Sequence, residues 1–256
     1  MEVTFKMFLI VCPLIFLAGF VDSIAGGGGL ISLPAYLMAG LPPHFAIGTN
    51  KISSAFGTAV STVRFCRNKF VDWGVAIPSI ILALAGATLG ARLGLLVDEK
   101  IMKYILVIVL PLIAFYILRG RSRKTAPGEN TIARKKVYII ACLASFFVGA
   151  YDGFYGPGTG SFLIIIYTGL AKMDIKKASG NTKLVNLATN IAALVTYLIS
   201  GKIILLLGIT AAVFGIAGNY IGSGLAIKNG QKVIRPIILV VLILLFVKVI
   251  VDWRLE

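Results

Sequence analysis

The long apolar stretches of this sequence constrain its fold more than any other feature. Residues 104–118 carry no charged side chain, and residues 233–251 carry only Arg235 and Lys248. A helix needs about 20 mostly apolar residues to cross the hydrocarbon core of a bilayer. Hydrophobic residues make up 58% of the chain and charged residues 14%, against about 45–50% and about 25% in soluble domains. The sequence therefore predicts an all-α, polytopic integral membrane protein, and it excludes an ordinary soluble enzyme, a disordered chain and a secreted disulfide scaffold.

Matched residues indicate that the chain holds two copies of one unit. The copies align at an offset of 130 residues, which becomes 132 after the first part of each copy. Matched glycines mean little in a chain with 28 of them, but charges within apolar segments are rare. Two such charges recur, because Asp22 corresponds to Asp152 and Lys51 corresponds to Lys183. We therefore predict an internal duplication.

Each copy has the same order of segments. A first apolar stretch runs into a glycine-rich loop, a shorter apolar stretch follows, and then come a helix with a polar stripe and two further apolar helices. Between the copies lies a segment with seven basic residues and one acid, as expected for a solvent-exposed linker. We predict a first transmembrane repeat over residues 1–118, a basic linker over 119–136 and a second repeat over 137–256.

The glycine-rich loops determine how often each copy crosses the membrane. The apolar stretches that flank each loop have about 15 and about 11 residues, or about 22 and about 17 Å of helix, so joined end to end they exceed a core of about 30 Å. We predict that each pair forms a broken or re-entrant helical hairpin with its glycine tip inside the membrane. Each copy then adds three transmembrane helices, and the copies are inverted repeats. A single broken span would instead give four crossings and parallel copies.

The distribution of Lys and Arg favours the hairpin model, because cytoplasmic loops are enriched in these residues. The hairpin model places 16 of them on one side and 7 on the other, whereas the broken span gives 14 and 9. We therefore expect a multi-pass protein of the cell membrane with the basic linker in the cytoplasm and both termini outside. The net charge of +15 is attributed to these loops and not to nucleic acid binding.

The glycine-rich loops have two interpretations. Small residues let membrane helices pack closely. Alternatively, the glycines break helices at mid-membrane and leave backbone N–H groups, with the positive ends of helix dipoles, to attract an anion. Breaks at matched positions of both copies favour the second interpretation, because paired breaks hold the substrate in transporters built from inverted repeats. The candidate binding residues are Gly26, Gly27, Gly28, Gly29, Gly156, Gly158, Thr159 and Gly160.

Each polar-striped helix carries a lysine near its start. A charge within a span costs at least about 2.5–3.5 kcal/mol at the bilayer centre, so it is seldom without a role. Either these lysines snorkel to the interface, or they coordinate an anionic substrate with the polar residues beside them. The polar stripes continue through Ser54 and Thr58 in the first copy and Asn186 and Asn190 in the second. The candidate anion-binding residues are Thr49, Asn50, Lys51, Asn181, Thr182 and Lys183.

Asp22 and Asp152 lie where the first half-helix of each copy meets its glycine loop. They either pair with the lysines or cap the next half-helix, or they couple transport to protons or cations; the sequence leaves both roles open. His44 is interpreted as a loop residue, with a proton relay as the alternative. The chain has one histidine, and its three cysteines form no CxxC motif, so we predict no metal site, no cofactor and no catalytic residue.

The order of these motifs resembles the sulfite exporter TauE/SafE family of membrane permeases. The resemblance rests on Gly19–Asp22, Gly26–Gly29 and Gly48–Lys51, with Gly86 and Gly90 after them, and on the repetition of this order in the second copy. It covers nearly the whole chain outside the linker and the ends. The resemblance implies a permease for anionic sulfur compounds such as sulfite, thiosulfate or sulfonates.

The second copy departs from the first by placing Pro157 and Thr159 in its glycine loop, which makes the two halves of the site unequal. We expect a transporter, not an enzyme, that moves a small anion by alternating access with the substrate near the midplane. The lipid bilayer is the other expected partner, and homo-oligomerisation stays open. The alternatives are an anion channel, an uptake permease for a non-sulfur organic anion, a structural subunit, and a membrane enzyme, for which one histidine provides little chemistry.

Overall fold

In a computed structural model, the structure describes residues 3–105, 108 and 132–229, and within these ranges the regular structure is helical throughout. Residues 119–131 of the predicted linker and most of the predicted last helix of the first copy, 101–118, lie outside the described residues, and so does the whole predicted last helix of the second copy, 233–251. The first copy contains helices α1 (Phe5–Ala25), α2 (Gly29–Met38), α3 (Pro43–Arg67) and α4 (Trp73–Leu96), and the second contains α5 (Arg134–Phe154), α6 (Thr159–Gly169), α7 (Ile175–Ile199) and α8 (Leu205–Asn229).

Five of these helices, α1, α4, α5, α7 and α8, are long and apolar enough to cross a membrane. Their outward faces carry exposed large apolar side chains such as Leu9, Ile81, Phe147 and Val213, as expected of surfaces that contact lipid tails. By contrast, α2 and α6 have 10 and 11 residues and are too short to span. The prediction of an all-α polytopic membrane protein is confirmed.

The first helix of each copy is longer than the half-helix of about 15 residues that the sequence suggests. Both α1 and α5 have 21 residues. The helix continues through Asp22 or Asp152 because the residues just after each aspartate accept helical geometry. It stops only near a glycine with positive φ, which is Gly26 at 73° directly after α1 and Gly156 at 104° two residues past the end of α5.

The short helix of each copy folds back against the long helix before it. In the second copy, the Thr159 hydroxyl contacts Asp152 at 2.7 Å beside the loop, and Ser145 contacts Tyr167 at 2.8 Å further from it. The residues that contact each other thus lie on both sides of the loop, at increasing separation along the chain. The helices α5 and α6 therefore run antiparallel and form a hairpin, not one broken span. In the first copy α1 and α2 also pack together, with the Gly28 N–H 3.4 Å from Asp22 Oδ1.

The two copies pack against each other along helices that carry glycine at the contacts. The first helix of each copy packs along the fourth helix of the other, α1 on α8 and α5 on α4. A side chain on Gly90 of α4 would overlap the backbone of Ala150, and one on Gly218 of α8 would overlap the backbone of Phe16. These glycines let the helix backbones approach closely.

The two polar-striped helices, α3 and α7, meet at the centre of the molecule. The Thr62 hydroxyl donates to the Lys183 carbonyl at 3.1 Å, and Lys51 Nζ donates to Asn190 Oδ1 at 3.3 Å. A residue in the C-terminal half of α3 thus contacts one in the N-terminal half of α7. A residue in the N-terminal half of α3 contacts one in the C-terminal half of α7. These corresponding helices therefore run in opposite directions where they touch.

Candidate functional site

The tips of the two hairpins touch each other backbone to backbone. Ser161 N donates to the Gly26 carbonyl at 3.2 Å, and the Ser161 hydroxyl donates to the Ala25 carbonyl at 2.7 Å. A Cβ atom on Gly26 would lie 2.5 Å from Gly160 Cα, and one on Gly29 would lie 2.8 Å from Pro157 Cα. Only glycine fits at such distances, so the glycine-rich loops serve to bring two helix breaks together in the interior.

Beside these tips, Lys51 of the first copy binds Asp152 of the second. Lys51 Nζ lies 3.0 Å from Asp152 Oδ2 and 2.8 Å from the Asp152 carbonyl oxygen. Its third contact is Asn190 Oδ1 at 3.3 Å. An ammonium group has three N–H donors, so Lys51 has a partner for each of them.

The second lysine makes the reciprocal bond to the first copy. Lys183 Nζ lies 2.8 Å from Asp22 Oδ2 and also donates to the Asp22 carbonyl oxygen. Each lysine therefore neutralises an aspartate and caps a carbonyl near the end of the long helix of the other copy, where the helix dipole is negative. The bonds cross between copies, which sequence alone does not reveal.

Both lysines lie within the protein and not at its surface. The exposed fraction of the side chain is 2% for Lys51 and 1% for Lys183. Each is preceded by eight residues of its 25-residue helix, about 12 Å of helix, and each ammonium is turned toward an aspartate. The snorkelling interpretation is therefore wrong, and both aspartates have the pairing role that the sequence left open.

The two pairs differ in their surroundings. Asp152 Oδ1 accepts a bond from the Thr159 hydroxyl at 2.7 Å, whereas among the described residues Asp22 Oδ1 receives only the long contact from Gly28 N at 3.4 Å. The side chain of Asp152 is 3% exposed and that of Asp22 is 14% exposed. Thr159, which the second copy has in its glycine loop, thus makes the two halves unequal, as the sequence predicts.

A partly open cavity lies against the tips and the Lys51–Asp152 pair. Its wall combines backbone at the glycine loops with hydroxyl, amide and charged side chains from both copies. Lys183 lies outside the wall and reaches the cavity only through Asp22, which lines it. The predicted site residues in the wall are Asp22, Gly26, Gly28, Gly29, Asn50, Lys51, Asp152, Gly156, Thr159 and Gly160.

Other predicted site residues do not line this cavity. Thr49 Oγ1 accepts a bond from Ile204 N at 3.0 Å, and Asn181 Oδ1 accepts one from Asp72 N at 2.9 Å, so both hold neighbouring loop backbone. The helical repeat of about 100° per residue turns these positions away from the face that carries the lysine. The predicted residues outside the wall are Gly27, Thr49, Gly158, Asn181, Thr182 and Lys183.

The wall also contains residues that the sequence did not single out as binding residues. Ser54, Thr58, Asn186 and Asn190 belong to the predicted polar stripes, and their placement follows from the stripe facing the interior. Ser32, Ser53 and Asn219 were not predicted. Asn219 was detectable in principle, because it is an isolated amide within an apolar helix.

His44 lies away from this cavity and within α3, not in a loop. It is 4% exposed, its Nε2 lies 3.1 Å from the Gly94 carbonyl oxygen and its Nδ1 lies 3.5 Å from Glu99 Oε1. The helix begins earlier than expected because Pro43 occupies its first position, where proline is favoured. His44 therefore connects the start of α3 to the segment that follows α4.

Comparison with known proteins gives a consistent result over nearly the whole chain. A family model described as sulfite exporter TauE/SafE matches residues 11–249. The "Probable membrane transporter protein ORF9" of Sinorhizobium sp is 35% identical over 238 residues, which cover 93% of this chain and 90% of that protein. The "Probable membrane transporter protein YfcA" of Escherichia coli K12 is 34% identical over 258 residues, which cover 97% and 94%. No solved structure gives a significant match.

Proposed function

The chain belongs to the sulfite exporter TauE/SafE family of membrane transporters, and from this premise we propose that it carries a small anion across the cell membrane. A sulfur oxyanion or an organosulfonate, such as sulfite, is the first candidate substrate. The observation that carries the proposal is the meeting of two glycine tips beside a cavity lined by backbone, hydroxyl and amide groups. Such a cavity replaces the hydration shell of an anion with fixed dipoles.

The short helices supply part of that field. Both α2 and α6 begin at the tips, directly after Gly28 and Gly158, which have no side chain to cap the helix. Of the first N–H groups of α6, that of Ser161 already donates to the Gly26 carbonyl oxygen. Uncapped helix starts carry partial positive charge and bind anions. Gly28 and Thr159, at or beside the two starts, line the cavity, so a substrate there lies within reach of both helix ends.

The charges of the site balance before any substrate binds. Lys51 pairs with Asp152 and Lys183 pairs with Asp22, so the four groups together are neutral. An anion that takes Lys51 away from Asp152 leaves a buried carboxylate without its cation, which is costly. A proton on Asp152 removes that cost, because a neutral carboxyl no longer needs the ammonium group.

We therefore include proton coupling through Asp152 in the proposal. In this proposal a proton neutralises Asp152, and the positive charge of Lys51 then attracts the anion. The proton and the anion are released together on the other side of the membrane. Asp22 has the corresponding position in the first copy, but its lysine lies outside the cavity wall. Asp152 is therefore the first residue to test for coupling.

Alternating access by one copy moving against the other completes the proposal. The opposite directions of α3 and α7 and the exchanged contacts of α1 with α8 and α5 with α4 support inverted repeats. In such transporters the substrate site lies at the repeat interface, and the two repeats rock around it. The same proposal places the basic linker on the cytoplasmic side of the membrane.

Transport by the purified chain in liposomes tests the proposed function. Flux is measured for a panel of sulfur oxyanions, sulfonates, carboxylates and cations, with empty liposomes and the Lys51→Ala variant beside the wild type. Lys135→Ala is a matched control, because Lys135 is exposed at the start of α5. We expect saturable flux of an anion that Lys51→Ala loses and Lys135→Ala keeps. Flux of cations alone would show that the anion proposal is wrong.

A further inference from the structure

Two residues of the cavity wall, Ser32 on α2 and Asn219 on α8, have no polar counterpart in the other copy and each keeps an oxygen without a hydrogen-bond partner in the described part of the chain. Ser53 and Thr159 also lack a polar counterpart, but both are hydrogen-bonded. With the offset of 131 residues in the short helices, Ser32 corresponds to Leu163, and with the offset of 132 in the last part, Asn219 corresponds to Ala87. The lysines, the aspartates and three of the four tip glycines recur in both copies. Ser32 and Asn219 are therefore not needed to build the duplicated architecture.

Two glycines leave space for the side-chain amide of Asn219. Asn219 Nδ2 lies between Gly19 of α1 and Gly57 of α3, and a Cβ atom on Gly19 would lie 2.7 Å from it. In the other copy Gly57 corresponds to a larger residue, Thr189, and Asn219 corresponds to a smaller one, Ala87.

The orientation of this amide follows from its one bond. Asn219 Nδ2 donates to the Gly215 carbonyl oxygen at 3.0 Å. A carbonyl oxygen cannot donate, so the NH₂ group must face Gly215 and the oxygen must face elsewhere. Asn219 is 3% exposed, and its Oδ1 has no hydrogen-bond partner among the described residues.

Ser32 on α2, which also lines the cavity, has the same property. It is 3% exposed, and its hydroxyl oxygen is buried without a hydrogen-bond partner in the described part of the chain. Buried polar groups in proteins are normally paired, and each exception calls for a reason. Six buried side-chain atoms lack a hydrogen-bond partner in the described part of the chain, and of their residues only Ser32 and Asn219 line the cavity. A molecule bound in the cavity would complete the bonds of these two.

We infer that Ser32 and Asn219 form a subsite that recognises a hydrogen-bond donor on the substrate. The inference rests on the proposed function and names its substrate class: an anion that carries an O–H or N–H group in addition to its charged oxygens. Asn219 Oδ1 only accepts hydrogen bonds, so it favours such an anion over one that offers acceptors alone. The Ser32 hydroxyl can donate to a substrate oxygen or accept from the same donor.

The test compares anions that differ in one donor. Hydrogen phosphate and sulfate have the same shape and, at about pH 8, nearly the same charge, but only hydrogen phosphate has an O–H group; 2-hydroxyethanesulfonate and ethanesulfonate form a second pair. The apparent affinity of each for the purified full chain is obtained from the ligand-dependent rise in melting temperature. We expect the donor-bearing member to bind about tenfold more tightly in at least one pair, since a buried acceptor left unpaired weakens binding by about that factor.

Variants of the wall decide whether Asn219 causes the preference. In Asn219→Ala the affinity ratio should fall to about one. The variant should fold, because alanine occupies the corresponding position, Ala87; Asn219→Ser is a second variant that also removes the carbonyl. The matched control is Ser223→Ala, one turn further along α8, where the hydroxyl is bonded to the Tyr220 carbonyl of its own helix. This control should keep the preference.

The outcomes separate this inference from the proposed function. If both members of each pair bind equally to the wild type, or if the preference survives in Asn219→Ala and Asn219→Ser, the donor subsite is wrong and anion transport still stands. If none of these anions and no sulfite binds, the proposed function fails and the subsite fails with it.

Discussion

Lys51 Nζ and Asp152 Oδ2 lie 3.0 Å apart, on different copies of the duplicated unit, and both side chains are almost fully buried. The bond joins the polar-striped helix of one copy to the hairpin tip of the other. The reciprocal pair of Lys183 with Asp22 does the same in the opposite sense. The two copies are therefore held together at the point where the cavity lies.

Removal of one partner of the Lys51–Asp152 pair should destabilise the protein more than removal of both. Lys51→Ala leaves Asp152 as an uncompensated buried charge, at a cost of about 3–5 kcal/mol. In Lys51→Ala with Asp152→Ala no buried charge remains at this point, so the melting temperature of the purified protein should recover by half or more. A double variant that melts no higher than Lys51→Ala would contradict the pairing.

Asp152→Asn should separate anion movement from pH. Asparagine keeps the shape of the side chain but, unlike aspartate, does not take up and release a proton. Flux in this variant should therefore no longer depend on pH. The measurement is the initial rate of anion uptake into liposomes over a series of external pH values. Asp22→Asn is the comparison, and we expect it to retain most of the pH dependence. An unchanged pH profile in Asp152→Asn would remove the coupling role.

Gly26→Ala should abolish transport because the hairpin tips can no longer touch. The added methyl group would lie 2.5 Å from Gly160 Cα, so one tip must move. Gly40→Ala is a control for the backbone strain, since Gly40 has a positive φ of 88°, like Gly26 at 73°, but no atom within 4 Å of the added Cβ. The control should lose about 1–2 kcal/mol of stability and keep its flux. Equal flux in both variants would show that tip contact is not required.

Gly90→Ala tests the glycine-lined contact between the copies. A Cβ atom there overlaps the Ala150 backbone on α5, so α4 and α5 must separate. The expected result is a loss of about 1–3 kcal/mol in stability, measured by chemical or thermal unfolding in detergent. Gly169→Ala has open space around the added atom and should leave the melting temperature within a degree or two of wild type. A similar loss in both variants would contradict the close packing.

Much of the fold could be predicted from the sequence, because apolar length and matched charges report on burial directly. The all-α membrane class, the hairpins and the importance of Asp22 and Lys51 follow from the cost of placing charges and broken backbone in lipid. The length of α1 was underestimated, because nothing in the residues after Asp22 ends a helix before the left-handed Gly26.

The details of the site could not be predicted, because they depend on which helices face each other. Helical periodicity assigns Lys51 to a face but does not say that the partner on that face is Asp152 of the other copy. For the same reason Thr49 and Asn181, which neighbour Lys51 and Lys183 in their motifs, were expected in the site but bond to loop backbone instead. Asn219 lies in the wall because Gly19 and Gly57 leave space for it, which requires three helices to be placed at once.

Proton-driven uptake of an anion tests the central claim most directly. Liposomes that contain the purified protein receive an inward proton gradient and a labelled sulfonate, which stays ionised and therefore does not cross lipid as a neutral acid. The account predicts that the wild type accumulates the anion above its external concentration, that collapse of the gradient releases it, and that Asp152→Asn fails to accumulate it. Accumulation that is equal with and without the gradient, or equal in wild type and Asp152→Asn, would contradict a site in which proton and anion bind together.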